Sequence, residues 1–197
     1  MLARDNPFAV HRVLRVRYRM PEGGWDSLLA RLEALGHRGA IVGLHGRGKT
    51  TLLEDFAEKL RSRGLRVRSI RIPGGARELS ADQERSLAEW NAGELLALDS
   101  AGALSYRAWR RVRQATRSAA GLVVTFHRPA LLPTLVELRT TPGLLADIVC
   151  ELAGRDLAAR LPPADELFAR HAGNLRAALR ELYDYCAGRI GGSFSRA

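Results

Sequence analysis

The stretch "GLHGRGKTTL", residues 43–52, places glycines at short intervals ahead of a lysine and two threonines. It fits the pattern G-x-x-x-x-G-K-[ST] at every fixed position. Such glycines let backbone N–H groups turn inward around a phosphate, the lysine reaches the β- and γ-phosphate oxygens, and the hydroxyl residue ligates Mg²⁺. The spacing therefore predicts a nucleotide-phosphate site formed by Gly43, Gly46, Gly48, Lys49, Thr50 and Thr51.

Lysine is rare in this chain, and one of its two lysines lies in this loop. Of the 31 basic residues, only Lys49 and Lys59 are lysines. A compact ammonium fits against phosphate oxygens inside a tight loop, whereas a guanidinium fork suits a planar partner that it can contact at two points. The lysine at this position therefore favours a phosphate-binding loop over a chance glycine-rich turn.

The elements that must hold the loop are predicted on both sides of it. Residues 39–44, "GAIVGL", form a short apolar run typical of a strand buried on both faces of a parallel sheet. From Lys49 to Arg63, apolar residues recur at helical spacing, and Gly64 ends the pattern. A helix that begins at the lysine also points its positive dipole end at the phosphates.

A candidate magnesium ligand follows another apolar run. "ELLALDSAG", residues 94–102, predicts a strand with Asp99 at its end. Together with the loop, this strand resembles the P-loop NTPases over about residues 39–127, and within them the AAA-like ATPases of the additional-strand group. The loop would be the Walker A motif and the aspartate part of the Walker B motif. The resemblance implies ATP and Mg²⁺ as cofactors, with Asp99 holding the ion through water opposite Thr50.

The residue after the aspartate departs from the pattern of that group. ATPases of this kind usually have a glutamate there, which orients the attacking water, whereas this chain has Ser100. Either hydrolysis is slow, or Ser100, another acid such as Glu94, or a partner supplies the function. Glu94 begins the predicted strand and so lies at its wrong end.

Further site residues are implied by the resemblance. "VVTFHR" ends the fourth predicted strand where the group carries a residue that senses the γ-phosphate, and Thr125 or His127 fits this role. We favour His127, which should emerge at the carboxyl edge of the sheet, although a purely structural role for both residues stays open. "HAGNLRAALRELYDYC" is similar to the sensor 2 segment of AAA+ ATPases and would make Arg176 a phosphate-facing arginine, but Gly-Asn at a helix start is also ordinary capping chemistry.

Two more residues or segments are candidates for contacts with nucleotide or partner. Arg139 lies where an arginine finger for a neighbouring subunit is found, which would make the partner a second copy or another protein. Residues 7–10 lie where AAA-like proteins often line the adenine pocket.

Strands that alternate with helices, followed by helices only, predict the fold class. We expect an α/β three-layer sandwich with a mostly parallel P-loop sheet and a small C-terminal helical subdomain. Alternation at residues 16–20 predicts an extended arm or edge strand, and a helix is expected over 130–139. The predicted domains are an N-terminal arm with a short helix at 1–38, the P-loop ATPase core at 39–140, a helical lid at 141–190 and a flexible tail at 191–197.

Composition and charge narrow the class of partner. The chain is 46% hydrophobic with a formal charge of +10, and no apolar run approaches the roughly 20 residues that span a bilayer, so we expect a cytoplasmic protein without a membrane partner. The charge comes mostly from arginine, which a GC-rich genome also produces, so nucleic acid is only weakly supported as a partner. Arginines nevertheless fall on one side of a predicted helix over 105–120.

The sequence is compatible with three functions. The first is an ATP-binding P-loop protein whose Mg²⁺-dependent hydrolysis, at an ordinary or a slow rate, drives a conformational change. An N-K-x-D guanine signature is absent from the sequence. The second is a small-molecule or nucleotide kinase, for which only Glu78 offers an acceptor-binding acid near the second strand. The third is a DNA-associated AAA-like regulatory module, based on the basic helix and the basic N-terminal arm.

Overall fold

The computed structural model describes residues 5–20 and 24–188, and the predicted tail at 191–197 lies outside this part of the chain. The chain divides into two compact units. The sheet unit comprises Tyr18–Leu44 and Lys49–Leu138, and the helical unit comprises Met1–Arg17, His45–Gly48 and Arg139–Ala197. The domain boundaries expected from the sequence stay predictions.

The sheet unit is built on five parallel strands in the spatial order β2-β3-β4-β1-β5. All six residues of β4 are buried, as expected for a central strand covered on both faces. The order places β4 between β1 and β3, so the carboxyl ends of these three strands meet at one edge. The strands are β1 Arg38–Val42, β2 Arg66–Arg71, β3 Glu94–Asp99, β4 Gly121–Phe126 and β5 Thr134–Glu137.

Helices cover both faces of this sheet, which confirms the predicted three-layer α/β fold. Successive strand residues point to opposite faces. Val123 packs with Phe56 of the helix Lys49–Ser62 on one side, and Val124 packs with Trp109 of the helix Tyr106–Ala115 on the other. The helices of the described chain are α1 Val10–Val13, α2 Gly24–Ala34, α3 Lys49–Ser62, α4 Ala81–Ala88, α5 Tyr106–Ala115, α6 Pro142–Ala153, α7 Arg155–Ala158, α8 Ala164–Arg170 and α9 Leu175–Cys186.

The helix predicted over 130–139 is wrong, because this segment contains strand β5. The N–H of Ala40 donates to the carbonyl of Pro133 at 2.8 Å, and the N–H of Leu138 donates to the carbonyl of Val42 at 2.7 Å, so the segment pairs with the outer edge of β1. Leu135 is buried there at 1% exposure. The conformation of this segment is therefore set by its pairing with the exposed edge of β1. The local residue pattern gives no sign of this pairing.

The edge strand considered for residues 16–20 is also not formed. These residues have no regular secondary structure, although their exposure alternates as predicted, with the arginines exposed and the apolar residues half-buried. The N–H of Tyr18 donates to the Asp55 carboxylate at 2.7 Å. A buried side-chain acceptor thus takes the backbone donor that a neighbouring strand would have used.

The helical unit has its own apolar core. Leu145, Leu167 and Leu182 are each fully buried in it, together with Phe8 from the N-terminal segment. Asn6 is also buried and donates its side-chain amide to the carbonyl of Tyr183 at 2.9 Å. Among the described residues, no helix combines the length and apolar character needed to cross a membrane.

Candidate phosphate-binding site

The candidate phosphate loop, residues 43–50, leaves the buried strand β1 and enters α3, which begins at Lys49. The N–H of Gly43 donates to the carbonyl of Phe126 at 3.1 Å and so ties the start of the loop to β4. Gly46 and Gly48 have φ values of +72° and +82°. Residues with a side chain rarely adopt this backbone conformation, so the loop strongly favours glycine at both positions.

Gly46 is also constrained by a close neighbour within the helical unit. A Cβ atom at this residue would lie 1.7 Å from Oδ1 of Asn174 and 3.3 Å from the backbone N of Arg176. Asn174 caps α9, since its Oδ1 accepts a hydrogen bond from the N–H of Ala177 at 3.1 Å. The start of α9 thus lies directly against a glycine of the loop. Arg176 is exposed on the first turn of this helix, and its role as a phosphate-facing arginine stays a prediction.

Lys49 and His127, two predicted site residues, lie side by side in the sheet unit. The Lys49 ammonium donates to the carbonyl of Leu44 at 2.9 Å and lies 3.3 Å from Nδ1 of His127. His127 is exposed directly after β4, as expected from its position behind the last apolar residue of that strand. Both side chains are therefore at the carboxyl edge of the sheet.

Asp99 accepts hydrogen bonds from two threonine hydroxyls. It is 6% exposed at the end of β3. Its Oδ2 accepts a hydrogen bond from the Thr50 hydroxyl at 2.9 Å, although the two residues are 49 positions apart in sequence. Its Oδ1 accepts from the Thr125 hydroxyl at 2.8 Å. The two predicted magnesium ligands are thus in direct contact, and both present the oxygen atoms that this ion prefers.

The donor set suits a metal that is shared with a ligand. Within residues 5–20 and 24–188, no group of three or more His, Cys, Asp or Glu side chains could hold a metal ion by itself. Mg²⁺ at nucleotide sites takes one or two protein oxygens and completes its shell with water and phosphate oxygens. Thr50 and Asp99 fit that requirement. Thr51 is half-buried one residue further along α3.

Thr125 has a role that the sequence analysis did not favour. It is buried at 1% exposure, donates to Asp99, and accepts a hydrogen bond from the N–H of Ser100 at 2.7 Å. It therefore holds the carboxylate and the turn after it, while His127 contacts Lys49. The alternation of side chains along β4 could have shown that residues 125 and 127 share one face, but not which of them reaches the neighbouring strand.

Arg71 was not found by sequence analysis. It ends β2 in register with Asp99, and its Nε lies 3.2 Å from Oδ2 of that carboxylate. Its other end pairs with Glu54 of α3 at 2.6 Å. No motif marks this arginine among 31 basic residues. Only the pairing of β2 with β3 brings it to the site.

Ser100, the residue after Asp99, has a left-handed backbone with φ +63°. A short 3₁₀ turn at Ala101–Ala103 follows it. Glu94, the other acid considered, begins β3 and pairs with Arg68 at 2.8 Å. Five residues of strand place it roughly 16 Å from Asp99. It is therefore excluded as a group that acts on water beside the phosphate loop.

No protein-family model matches the chain, and a search of curated proteins finds no significant match.

Proposed function

We propose that this chain is an ATP-binding P-loop protein, similar to the AAA-like ATPases of the additional-strand group. It would couple slow, Mg²⁺-dependent hydrolysis to a conformational change. The observation that carries the proposal is the 2.9 Å hydrogen bond between Thr50 in the loop and Asp99 at the end of β3. The strand order supports the same group, since β4 is an additional strand between the loop strand β1 and the aspartate strand β3.

Each residue has a role that follows from its chemistry. Backbone N–H groups of the loop and the N-terminus of α3 would bind the β-phosphate. Lys49 would exchange the Leu44 carbonyl for phosphate oxygens, and Thr50 would turn its hydroxyl from Asp99 towards the ion. When bound, Mg²⁺ supplies charge neutralisation at the β- and γ-phosphates. His127, 3.3 Å from the lysine ammonium, would detect whether the γ-phosphate is present.

Slow turnover is expected from the residue at position 100. A serine hydroxyl is a poor base at neutral pH compared with a carboxylate. The N–H of Ser100 is bound to Thr125, and its positive φ sets the direction in which the side chain leaves the backbone. We therefore infer that a partner or a second copy accelerates hydrolysis, with Arg139 as the candidate for a residue supplied between subunits.

ATP binding by Lys49→Ala tests the proposal, with Lys59→Ala as the matched control on the same helix. Hydrogen bonds to charged groups contribute about 1.5–3 kcal/mol, so the loss of Lys49 should weaken ATP binding about 10- to 100-fold. Lys59→Ala and wild type should bind equally. Titration of a fluorescent ATP analogue, with and without EDTA and in competition with GTP, gives these affinities. Equal affinity in all three proteins would overturn the proposal.

The kinase alternative receives no support from the geometry. Glu78, the only candidate acceptor-binding acid, accepts a hydrogen bond from the Ser105 hydroxyl at 2.5 Å at the start of α5. Phosphate transfer from ATP to an added small molecule, in place of phosphate release, would be the result that favours a kinase.

A further inference from the structure

The outer side of α5 is an exposed basic surface. Arg107, Arg110 and Arg113 on the helix and Arg117 in the turn after it are all exposed. In the part of the chain that the structure describes, none of these four side chains pairs with a carboxylate, whereas Arg111 pairs with Glu84 at 2.6 Å. The ten residues of α5 include no acid. No carboxylate of the described residues therefore neutralises the positive charge of these four arginines.

An aromatic ring lies among these arginines. Tyr106 is 76% exposed. At about 100° per residue it falls on the same side of the helix as Arg110, one turn later, and Arg113, two turns later. Together with Arg107 these side chains occupy an arc of about 120° and, at 1.5 Å per residue, extend over about 10 Å. We call Tyr106, Arg107, Arg110 and Arg113 the α5 basic face.

The opposite side of α5 packs against the hydrophobic core. Ala108, Trp109 and Val112 are buried against the sheet. An interfacial membrane helix needs an exposed apolar face to enter the lipid. The apolar side of α5 is buried and cannot serve as such a face. The exposed side chains of α5 are thus Tyr106, Gln114 and arginines, with no large apolar side chain among them except the tyrosine ring.

We infer that the α5 basic face binds the phosphate backbone of a nucleic acid. Guanidinium groups form paired hydrogen bonds with phosphate oxygens, and three of them within two helical turns can contact successive phosphates. Tyr106 can in addition stack on an unpaired base, which is how proteins hold single strands without reading their sequence. The α5 basic face shares no residue with the candidate phosphate loop, so the inference does not depend on the proposed ATP binding.

Fluorescence anisotropy with a labelled oligothymidine of about 20 nucleotides, and with a duplex of equal length, tests the inference. The variant carries alanine at the three arginines of the face. Its matched control carries alanine at Arg155, Arg160 and Arg180, which are exposed on the helical unit and remove the same charge. All six arginines are on the surface, so both variants should fold like wild type, as judged by their thermal unfolding.

We expect the α5 triple variant to bind nucleic acid at least 10-fold more weakly than the control variant. Each lost phosphate contact should lower the dependence of log affinity on log salt by about 0.7 for the single strand and 0.9 for the duplex, so the slope should fall by roughly 2 to 3. Tyr106→Ala should weaken single-strand binding about 5-fold or more and leave duplex binding unchanged, because only an unpaired base can stack on the ring.

Two results would overturn the inference. One is equal affinity and equal salt slope in the two triple variants. The other is binding of the wild-type protein to anionic vesicles but to neither oligonucleotide, which would assign the arginines to a membrane surface. ATP affinity, measured on the same variants, should stay at the wild-type value. A failure of nucleic-acid binding is thereby distinguished from a failure of the proposed ATP binding.

Discussion

Replacing Gly46 with alanine tests whether this glycine lies against Asn174 at the start of α9. Gly46 has φ +72°, and an alanine Cβ would lie 1.7 Å from Oδ1 of Asn174, far inside any non-bonded contact. Asn174 must rotate away and give up its 3.1 Å hydrogen bond with the N–H of Ala177. The substitution therefore adds backbone strain and removes a helix cap.

The two costs can be worked out separately. A left-handed conformation costs a non-glycine residue about 1–2 kcal/mol, and about 0.4–1 kcal/mol of this is offset because alanine restricts the unfolded chain. Loss of the asparagine cap costs about 1 kcal/mol. We expect Gly46→Ala to lower the free energy of unfolding by about 2 kcal/mol, which for a chain of this size lowers Tm by about 4–8 °C.

Urea denaturation of a double-mutant cycle with Asn174→Ala separates the contact from the strain. In the Asn174→Ala background the cap is already absent and the clashing oxygen is gone, so Gly46→Ala should cost only about 1 kcal/mol. The coupling between the two substitutions should thus be about 1 kcal/mol. Gly75→Ala is the matched control, since its φ is +82° with open space around a Cβ. Additive effects of Gly46→Ala and Asn174→Ala would refute the contact.

Three further substitutions test the surroundings of Asp99. Thr125→Val leaves a carboxylate oxygen and the N–H of Ser100 without their partner, so the free energy of unfolding in urea should fall by about 2–3 kcal/mol; an unchanged value would contradict the bonding described for Thr125. Arg71→Ala removes a half-exposed cation 3.2 Å from Asp99, so the Mg²⁺ concentration needed for ATP binding should fall about 1.5- to 5-fold; a higher requirement would instead mean that Arg71 binds the phosphates. Ser100→Gly relieves a φ of +63° and should raise the free energy of unfolding by up to about 1 kcal/mol with unchanged ATP turnover; lost turnover would assign the hydroxyl a catalytic part.

Sequence alone identified the loop, the strand before it and the helix after it. These are local features, because glycine spacing, apolar runs and helical periodicity depend on neighbouring residues. The three-layer α/β class followed from the same patterns and is confirmed. Asp99 was found because a buried strand that ends in an acid is visible in the sequence. From the sequence, a position for Asp99 opposite Thr50 was only implied by the resemblance. The structure shows the hydrogen bond between the two side chains.

Tertiary structure decided what depends on distant partners. The segment 134–137 is a strand because it pairs with the free edge of β1. The residue pattern of the segment alone did not predict this pairing. Arg71 and Thr125 reach Asp99 only because β2 and β4 flank β3. Gly46 is required by Asn174, more than a hundred residues later in the chain. Hydrogen bonds and close contacts of this kind are set by which strands and helices become neighbours, and local periodicity carries no information about that choice.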